Sequence, residues 1–392
     1  MSTRVELRRD AGRVGPEAGP WIRRRQVAKV WGPADPAGLV QVVDHRDQTL
    51  AWGLVSPDGE LAVRIVQHGA TPPPEDWLVR RLHAALAARA ALGLADDPAT
   101  DAYREVNSEG DGIPGLTVDR YGDDRVVQIA TPAIAARRAV IVGFFAARTR
   151  GRVFVSAPEA AAAREGFALE PVTHGEDAVL TFKEFGLAFA VPAPPAQKTG
   201  AYLDQRDNRR LAAELAARAG GPMLDVGCHA GGFAVHAAAR GVFAVGLDQS
   251  ARALAAARDN AARNGLAEKT AWVLGDMFGP LDDPALAGPF GVVVFDPPRI
   301  ASGPQGRDRA VGAMARSLAW LLPRVRPGGF LLACSCSHHL GRAELDAALL
   351  AAGGPAFARV HALGPGPDHP VWPGHVEGEY LRVNVYQRRD MA

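Results

Sequence analysis

The sequence predicts an α/β protein in which two small domains precede a larger domain built on a parallel sheet. Three observations carry this prediction. Strand-like runs separated by turn residues fill the chain up to about residue 70, a strand–strand–helix–strand–strand order follows, and strands then alternate with Ala-rich helices. Such alternation is typical of a parallel sheet covered by helices on both faces. The length of 392 residues suffices for two or three domains.

The first domain, residues 1–73, is predicted to be a small β-barrel. Strand-forming residues fill 40–44 and 61–66, and the Ser-Pro-Asp-Gly run at 56–59 is a turn signal. A proline run at 72–74 then makes a stiff linker.

The second domain, residues 74–192, is predicted to be a small α+β domain with the order β-β-α-β-β. An Ala-, Leu- and Arg-rich helix at 77–92 begins it. Its other strands and helix are expected at 113–121, 126–130, 132–148, 153–155 and 187–191. A second proline cluster at 192–195 closes it.

The third domain, residues 193–392, is predicted to hold five strands of the parallel sheet and an antiparallel pair at its edge. The parallel strands are expected at 222–226, 243–247, 271–274, 291–295 and 330–333, and the pair at 357–361 and 380–386. Among the helices between them, 250–263 has Ser250 as its expected N-cap and Gly265 after its end. The sheet therefore has seven strands.

Composition sets the broad class. The formal net charge is +1, so any binding of nucleic acid must come from local patches. Three cysteines in a long chain argue against a disulfide framework and against structural zinc, and they favour a reducing compartment. The start has no apolar run of signal-peptide length, and no run reaches membrane-spanning length. We therefore expect a cytoplasmic protein with no membrane partner and no metal.

Acidic residues end or follow four successive strands of the predicted parallel sheet: Asp225, Asp248, Asp276 and Asp296. The first strand runs into a glycine-bearing turn at 227–232, where backbone can approach a ligand closely. Glycine turns of this kind also occur without a ligand. A carboxylate after the second strand can accept hydrogen bonds from ribose hydroxyls. Because the turn is not G-x-G-x-x-G, a nucleoside cofactor without a pyrophosphate is favoured over a dinucleotide.

The motif Asp-Pro-Pro at 296–298 and the motif Cys-Ser-Cys-Ser at 334–337 follow two apolar runs. Two neighbouring parallel strands would place Asp296 and Cys336 at the same edge of the sheet, where ligands bind in open α/β sheets. A thiol beside a carboxylate suggests nucleophilic catalysis on an electrophilic ring. A cysteine can equally be a small buried apolar residue, and we expect that role for Cys228 and Cys334.

These motifs resemble those of class I S-adenosylmethionine-dependent methyltransferases. The more specific segment Lys-Thr-Gly-Ala-Tyr-Leu-Asp-Gln-Arg at 198–206, with Ser-Cys-Ser at 335–337 and Asp-His-Pro at 368–370, is similar to bacterial 23S rRNA cytosine-5 methyltransferases of the large-subunit methyltransferase I type. The resemblance covers nearly the whole chain. It implies an RNA-binding PUA-like domain, a central α+β domain and a Rossmann-like methyltransferase domain.

The resemblance implies S-adenosylmethionine as cofactor and roles for individual residues. Cys336 and Asp296 would be catalytic. The residues expected to bind the cofactor are Tyr202, Arg206, Asp225, Gly227, Gly231, Phe233, Asp248, Asp276 and Met277. The partner would be ribosomal RNA, 23S rRNA in particular, and a homodimer is left open. Asp296 could contact either the methionine amine of the cofactor or the N3/N4 edge of cytosine.

Two other functions compete with cytosine-5 methylation of rRNA. One is methylation of an exocyclic base amine, and Arg299 counts against it because an aromatic residue usually follows Asp-Pro-Pro in such enzymes. The other is a non-catalytic RNA-binding or ribosome-assembly protein. His338 and His339 could assist proton transfer or cap the next helix. The basic residues 23–25 and Lys29 could contact phosphates or form a solvated face.

Overall fold

The fold is taken from a computed structural model that describes residues 3–32, 35, 38–175, 178–193, 200–279, 281–300, 306–337 and 339–390. The chain forms two compact units. The first contains Met1–Lys183, Pro192–Gly200 and Pro367–Gly378, and the second contains Glu184–Val191, Ala201–Gly366 and Glu379–Ala392. Pro194, Pro195, Lys198, Thr199 and His338, which belong to the sequence motifs above, lie outside the described residues.

The first unit begins with a six-stranded sheet in the order β2-β6-β5-β4-β1-β3. Its strands are β1 (Arg4–Leu7), β2 (Trp21–Arg23), β3 (Val27–Trp31), β4 (Val40–Val43), β5 (Thr49–Val55) and β6 (Leu61–His68). Alternate residues of these strands, such as Val5, Ile22, Val42 and Val63, pack into one apolar cluster. The β-rich start that the sequence predicted is therefore present.

A four-stranded sheet follows in the order β10-β9-β8-β7. Its strands are β7 (Ala102–Asn107), β8 (Leu116–Tyr121), β9 (Asp124–Ile129) and β10 (Val153–Ser156), and the helices around it are α1 (Trp77–Ala91), α2 (Pro132–Ala135), α3 (Arg138–Ala146) and α4 (Glu159–Glu165). Leu54 and Val66 of the first sheet join Trp77 and Leu82 of α1 in the apolar core beneath this sheet. The two sheets of the first unit therefore share a core.

Strand β7 was not predicted from the sequence, because charged residues interrupt its apolar pattern. Arg104 is paired with the fully buried Asp119 at 2.7 Å, and Arg125 is paired with Glu105 at 2.7 Å. Burial raises the pKa of Glu105, and the charge and hydrogen bond of Arg125 oppose that rise. Buried ion pairs of this kind form only when the partner strand is in place.

The segment 367–378, which contains the Asp-His-Pro motif, belongs to the first unit. Asp368 Oδ2 accepts the backbone N–H of Arg104 at 2.9 Å, and its carbonyl accepts Arg89 Nη2 at 2.7 Å. Arg89 is 1% exposed and also forms a two-pronged pair with Asp111. Asp368 therefore has a structural reason to be aspartate, independent of any chemistry.

The second unit is built on a seven-stranded sheet in the order β15-β14-β13-β16-β17-β19-β18. Its strands are β13 (Met223–Val226), β14 (Ala244–Asp248), β15 (Thr270–Leu274), β16 (Phe290–Phe295), β17 (Val325–Ser335), β18 (Phe357–Leu363) and β19 (Arg382–Arg388). Strands β13 to β17 are parallel, whereas β19 pairs antiparallel with both β17 and β18. The predicted parallel sheet and its antiparallel edge pair are both confirmed.

Helices cover both faces of this sheet, and the strands alternate between two apolar clusters. The helices are α5 (Arg206–Ala219), α6 (Gly232–Ala239), α7 (Ala251–Arg263), α8 (Arg307–Leu321) and α9 (Arg342–Ala351). Val293 and Phe295 pack with α8 and α9, whereas Val292 and Val294 pack with α5 and α6. Ser250 caps α7 by accepting the N–H of Ala253 at 3.2 Å, as predicted.

The remaining strands, β11 (Val179–Glu184) and β12 (Leu187–Pro192), form a two-stranded ladder. The sequence had placed residues 187–191 in the α+β domain, but β12 pairs with β11 and not with the four-stranded sheet. Among the described residues, no helix combines the length and the hydropathy needed to cross a membrane.

Candidate active site

The carboxyl ends of four neighbouring strands meet at one edge of the seven-stranded sheet. In the parallel register, Val226 lies opposite both Leu247 and Phe295, and Phe295 lies opposite Ala333. The residues that follow these positions therefore lie side by side. This register brings together the glycine turn after β13, Asp248 at the end of β14, Asp296 after β16 and the cysteines at the end of β17.

The turn after β13 requires glycine at Gly227. Its φ is +83°, and a Cβ there would lie 2.4 Å from the carbonyl oxygen of Asp296. Gly231 has φ +81° and a Cβ on it would lie 2.6 Å from the Trp272 ring. The amides of Gly227 and Cys228 donate to the Leu247 carbonyl at 2.8 and 3.1 Å. The two glycines therefore let the turn pack closely against the Asp296 backbone and the Trp272 ring, and these two N–H groups stabilise the fold.

Asp225 is buried at the start of this edge. Its Oδ2 accepts the N–H of Ala234 in α6 at 3.2 Å, and its Oδ1 has no hydrogen-bond partner among the residues described. Burial, with smaller contributions from the charges of Asp296 and Asp248, raises the pKa of Asp225 to about 8. A buried carboxyl with one unused oxygen suits a cationic or hydrogen-bond-donating ligand.

Asp248 is held by the backbone of two turns. Its Oδ2 accepts the N–H of His229 and its Oδ1 accepts the N–H of Ser250, both at 2.9 Å. His229 has φ +47°, a left-handed conformation that is uncommon outside glycine. The hydrogen bond to Asp248 helps to hold this conformation. Each carboxylate oxygen keeps lone-pair capacity for a further donor.

The other predicted cofactor residues differ in position. Tyr202 lies edge-to-face with His229 at 5.1 Å between ring centroids, and Arg206 is 1% exposed at the start of α5.

Asp276 is exposed, and its Oδ1 accepts the N–H of Phe278 in a local turn. Two others are buried in apolar clusters: Met277, beside the position that a Gly227 Cβ would take, and Phe233 on the α5 and α6 side.

The three cysteines, all in described parts of the chain, occupy different environments. Cys228 is 5% exposed and Cys334 is fully buried, whereas Cys336 is partly exposed just after β17. Burial raises the pKa of Cys334 well above its usual range, and the charge of Asp296 adds to the rise. Burial raises the pKa of Cys228 in the same way. A neutral buried thiol is a poor nucleophile, so accessibility favours Cys336.

Two buried serines shape the turn that presents Cys336. Ser335 Oγ donates to the Leu340 carbonyl at 3.0 Å and accepts the N–H of Ser337 at 3.3 Å. Ser337 Oγ accepts the N–H of His339 at 3.4 Å. The serines on both sides of the cysteine therefore close the turn, and this explains the Ser-Cys-Ser spacing structurally. His339 contributes its backbone to this turn.

The structure also brings to this edge polar residues that were not among the predicted site residues. Gln205 Nε2 donates to Asp296 Oδ2 at 3.0 Å. Arg209 forms two hydrogen bonds with Glu184, at 2.7 and 2.6 Å, and donates to the Tyr202 carbonyl at 3.0 Å. The only sequence signal for Gln205 was its place in the 198–206 motif.

Glu184 is the centre of a buried cluster behind the Tyr202 segment. Besides Arg209, it accepts Nε2 of His236 at 2.8 Å. Burial alone would raise the pKa of Glu184, but the Arg209 charge and the hydrogen bonds from His236 and Arg209 hold that pKa well below its usual range. The cluster fixes Arg209, which in turn fixes the Tyr202 carbonyl.

Comparisons with known proteins decide the family. A family model described as S-adenosylmethionine-dependent methyltransferase matches residues 141–373, and one described as a PUA-like domain matches residues 7–68. A ribosomal RNA large subunit methyltransferase from Deinococcus radiodurans is 35% identical over 387 residues, which cover 94% of this chain and 93% of the relative. The chain belongs to the S-adenosylmethionine-dependent methyltransferases of the large-subunit methyltransferase I type.

Other relatives agree with this assignment. A ribosomal RNA large subunit methyltransferase I from Shewanella denitrificans is 32% identical, with 97% of this chain and 98% of the relative covered. A solved S-adenosylmethionine-dependent methyltransferase from Streptococcus mutans has a TM-score of 0.79 at 17% identity and covers 99% of this chain and 100% of that chain. A methyltransferase solved with S-adenosylhomocysteine also has a TM-score of 0.79 at 17% identity, with 98% and 99% covered. The predicted fold class is confirmed.

Membership of this family also confirms S-adenosylmethionine as the predicted cofactor, and the residues at the strand ends fit it. The cofactor carries an ammonium and a ribose. The unused Oδ1 of Asp225 would suit the cationic end, and the carboxylate of Asp248 would suit ribose hydroxyls. Gly227 brings the turn against the end of β16, because the Asp296 carbonyl occupies the space that a side chain would need.

Replacing Gly227 by alanine should destabilise the protein by about 2–4 kcal/mol, because the new Cβ would be strained at positive φ and would press on a backbone oxygen. Urea unfolding followed by circular dichroism measures the loss. Gly143→Ala is the matched control, because a Cβ there would meet nothing within 4 Å inside α3. It should stabilise the helix by about 0.5–1 kcal/mol. Equal effects of the two changes would show that the turn does not require glycine at Gly227.

Asp225→Asn should alter how the stability of the ligand-free protein depends on pH. The folded-state pKa of Asp225 is raised to about 8. Its contribution to the free energy of unfolding is therefore greatest at low pH. That contribution is lost as pH rises from about 4 to 8, by up to about 1.4 kcal/mol per pH unit. The asparagine variant lacks this loss. Its stability relative to wild type should therefore rise between pH 5 and pH 7.5, as measured by urea unfolding. A relative stability that stays constant would rule out the raised pKa; Asp276→Asn is the exposed control.

Proposed function

We propose that this protein transfers the methyl group of S-adenosylmethionine to C5 of a cytosine in 23S rRNA, with Cys336 as the nucleophile. The single observation that carries the proposal is the position of Cys336. It is partly exposed just after β17 and lies beside β16, the strand that Asp296 follows, whereas the other two cysteines are buried. The names of the relatives support ribosomal RNA as the substrate.

The chemistry explains why a thiol is needed. C5 of cytosine is a weak nucleophile. Attack of the Cys336 thiolate at C6 forms an S–C6 bond and moves electron density to C5, so that C5 can take the methyl group. When bound, S-adenosylmethionine supplies that methyl group from its sulfonium. A base then removes the C5 proton, the C5=C6 bond re-forms and the thiolate leaves.

Asp296 is the second residue to which we assign a catalytic role. Its backbone is fixed because its N–H donates to the Val226 carbonyl at 3.0 Å. The side chain lies at the edge of the sheet between the glycine turn and the end of β17. We propose that it faces the N3/N4 edge of the target cytosine, with some contact to the cofactor.

The proposal extends to further residues that would contact the cofactor: Tyr202, Arg206, Gly231, Phe233, Asp276 and Met277.

The N-terminal β domain is our candidate for RNA binding. Arg23 and Arg24 are engaged within the first unit, Arg23 with Glu60 and Arg24 with backbone carbonyls. Arg25 and Lys29 are exposed, and Lys29 Nζ lies 3.3 Å from the centroid of the Trp31 ring. These two cations are therefore better placed than Arg23 or Arg24 to meet phosphates. Three statements stay predictions: the domain boundaries at 73 and 192, the cytoplasmic location and the homodimer.

Cys336→Ala should lower methyl transfer by about 1,000-fold or more while leaving cofactor affinity unchanged, because only the nucleophile is removed. Transcripts of 23S rRNA fragments are assayed for 5-methylcytosine by mass spectrometry, and S-adenosylmethionine affinity by calorimetry. Cys334→Ala is the matched control and should keep most activity. Full activity of Cys336→Ala would sink the proposal.

A transcript that contains 5-fluorocytidine should trap wild-type protein in a covalent complex. The S–C6 bond forms and the methyl group is transferred, but fluorine at C5 cannot leave as a proton, so the thiolate is not expelled. Peptide mapping should place the adduct on Cys336. An adduct on Cys334 would identify Cys334 and not Cys336 as the nucleophile. Methylation of an exocyclic amine without any adduct would favour the competing N-methyltransferase function.

The double variant Arg25→Ala with Lys29→Ala should weaken rRNA binding and lower the slope of log affinity against log salt by about 0.7–0.9 for each phosphate that is no longer neutralised. Filter binding at several salt concentrations measures both effects. Substitution is preferred to deleting residues 1–70, because Leu54 and Val66 help to form the core around α1. Arg240→Ala, an exposed arginine paired with Glu214, is the control and should leave the slope unchanged. An unchanged slope in the double variant would contradict the assignment.

A further inference from the structure

We propose that Gln205 is a positioning residue that sets the orientation of the Asp296 carboxylate, and that Asn208 in turn sets the orientation of the Gln205 amide. Gln205 is 2% exposed and Asn208 is 4% exposed, so both amides are sheltered from water. They lie three positions apart where a 3-10 turn, Leu203–Gln205, runs into α5, and this spacing puts them on the same side of the helix.

The hydrogen bonds determine which way each amide faces. Asn208 Nδ2 donates to Gln205 Oε1 at 2.7 Å and to the Gly364 carbonyl at 3.1 Å. Both of its hydrogens are therefore directed at oxygen acceptors. Since Gln205 Oε1 accepts from Asn208, the Nε2 of Gln205 is the atom that meets Asp296 Oδ2, at 3.0 Å. If the Gln205 amide were rotated by 180°, its Nε2 would face the donor Asn208 Nδ2 and its Oε1 would face the acceptor Asp296 Oδ2. Only the observed orientation therefore satisfies these hydrogen bonds.

Gln205 also interacts with residues from two neighbouring strands, Asp296 after β16 and Cys334 in β17. Its side chain contacts the Cys334 thiol, and that contact opposes the rise in the pKa of Cys334 that burial and Asp296 produce. The backbone of Asp296 is fixed separately, because its N–H donates to the Val226 carbonyl. The rotation of the side chain depends on the contacts of its carboxylate, and the hydrogen bond from Gln205 is one of them. The Gln205 amide supplies a donor from a buried, rigid position, so it selects one orientation of the carboxylate.

The residue type matters because a donor is required. Glutamate has nearly the same size as glutamine and could still accept from Asn208. When ionised, it would place a second negative charge against Asp296 at the position of the donor. When protonated, its O–H could donate as the amide does. Gln205→Glu is therefore a switchable version of the wild-type contact, and pH controls the switch.

The first test is the pH profile of methyl transfer, and this arm rests on the proposed function. Gln205→Glu should be about 10- to 100-fold slower than wild type at pH 8.5, the size expected for losing a hydrogen bond to a charged group. The deficit should shrink to about threefold or less near pH 6. Gln205→Leu should be slow at both pH values, because it can never donate. Gln387→Glu, at the other end of the sheet opposite Phe330, is the matched control and should keep the wild-type profile.

The second test does not depend on activity. Protein labelled with ¹³C at the aspartate carboxyls is titrated by NMR, and Asp296→Asn identifies the Asp296 signal. In Gln205→Glu the Asp296 signal should titrate at a pH at least one unit higher than in wild type. A further arm belongs to the first test, because it measures activity: in the background of Asp296→Asn, Gln205→Glu should change the methylation rate by less than about threefold, since the two residues act as a unit.

The outcomes separate the two proposals. If wild type makes no 5-methylcytosine but the Asp296 titration moves as expected, the proposed function fails and the positioning role stands. If wild type is active while Gln205→Glu shows neither a moved titration nor a pH-dependent deficit, the positioning role is overturned. Unfolding curves for each variant identify a deficit that comes from lost folding, and in that case Gln205→Glu at pH 6, with its donor restored, decides the question.

Discussion

The parallel register of four neighbouring strands is the constraint on which the rest of the second unit depends. Because Leu247, Val226, Phe295 and Ala333 lie at matching positions, their successors emerge at one edge of the sheet. The close approach of the Asp296 carbonyl to Gly227 is part of the same arrangement. A slip of the register would separate the acidic residues from the cysteines and would also turn each strand's apolar side chains to the opposite face.

Two buried carboxyl groups near this edge of the sheet, those of Glu184 and Asp225, have opposite preferences for the charged form. Glu184 has Arg209 and His236 as partners, so its ionised form is favoured despite full burial. Asp225 is buried as deeply, and in the described part of the chain a single backbone N–H donates to it; burial therefore raises its pKa to about 8 and favours its neutral form at lower pH. The first arrangement makes a rigid support for the Tyr202 segment. The second leaves a carboxyl whose charge a cationic ligand would stabilise, which is a property expected of a binding site.

Polar residues in the motifs divide between supporting roles and roles in contact with the proposed substrates. Ser335 and Ser337 close the turn that exposes Cys336, and Asp368 ties down its own segment in the first unit. Gln205 is joined to Asp296 through its amide. These motif residues therefore maintain the geometry of the site as well as any chemistry that they perform.

The sequence by itself determined the alternation of strands and helices, the helix cap at Ser250 and the strand-end positions of the acidic residues and cysteines, because these depend on neighbours along the chain. Tertiary structure alone decided the rest. Strand β7 is stable because its charged residues meet partners on other strands. Cys334 is buried within β17, whereas Cys336 follows the strand and is partly exposed, so the packing around β17 decides which thiol is accessible. The hydrogen bond between Gln205 and Asp296 joins segments that are far apart in sequence. Contacts of this kind leave no periodic signal in a single sequence, since they depend on how distant segments pack.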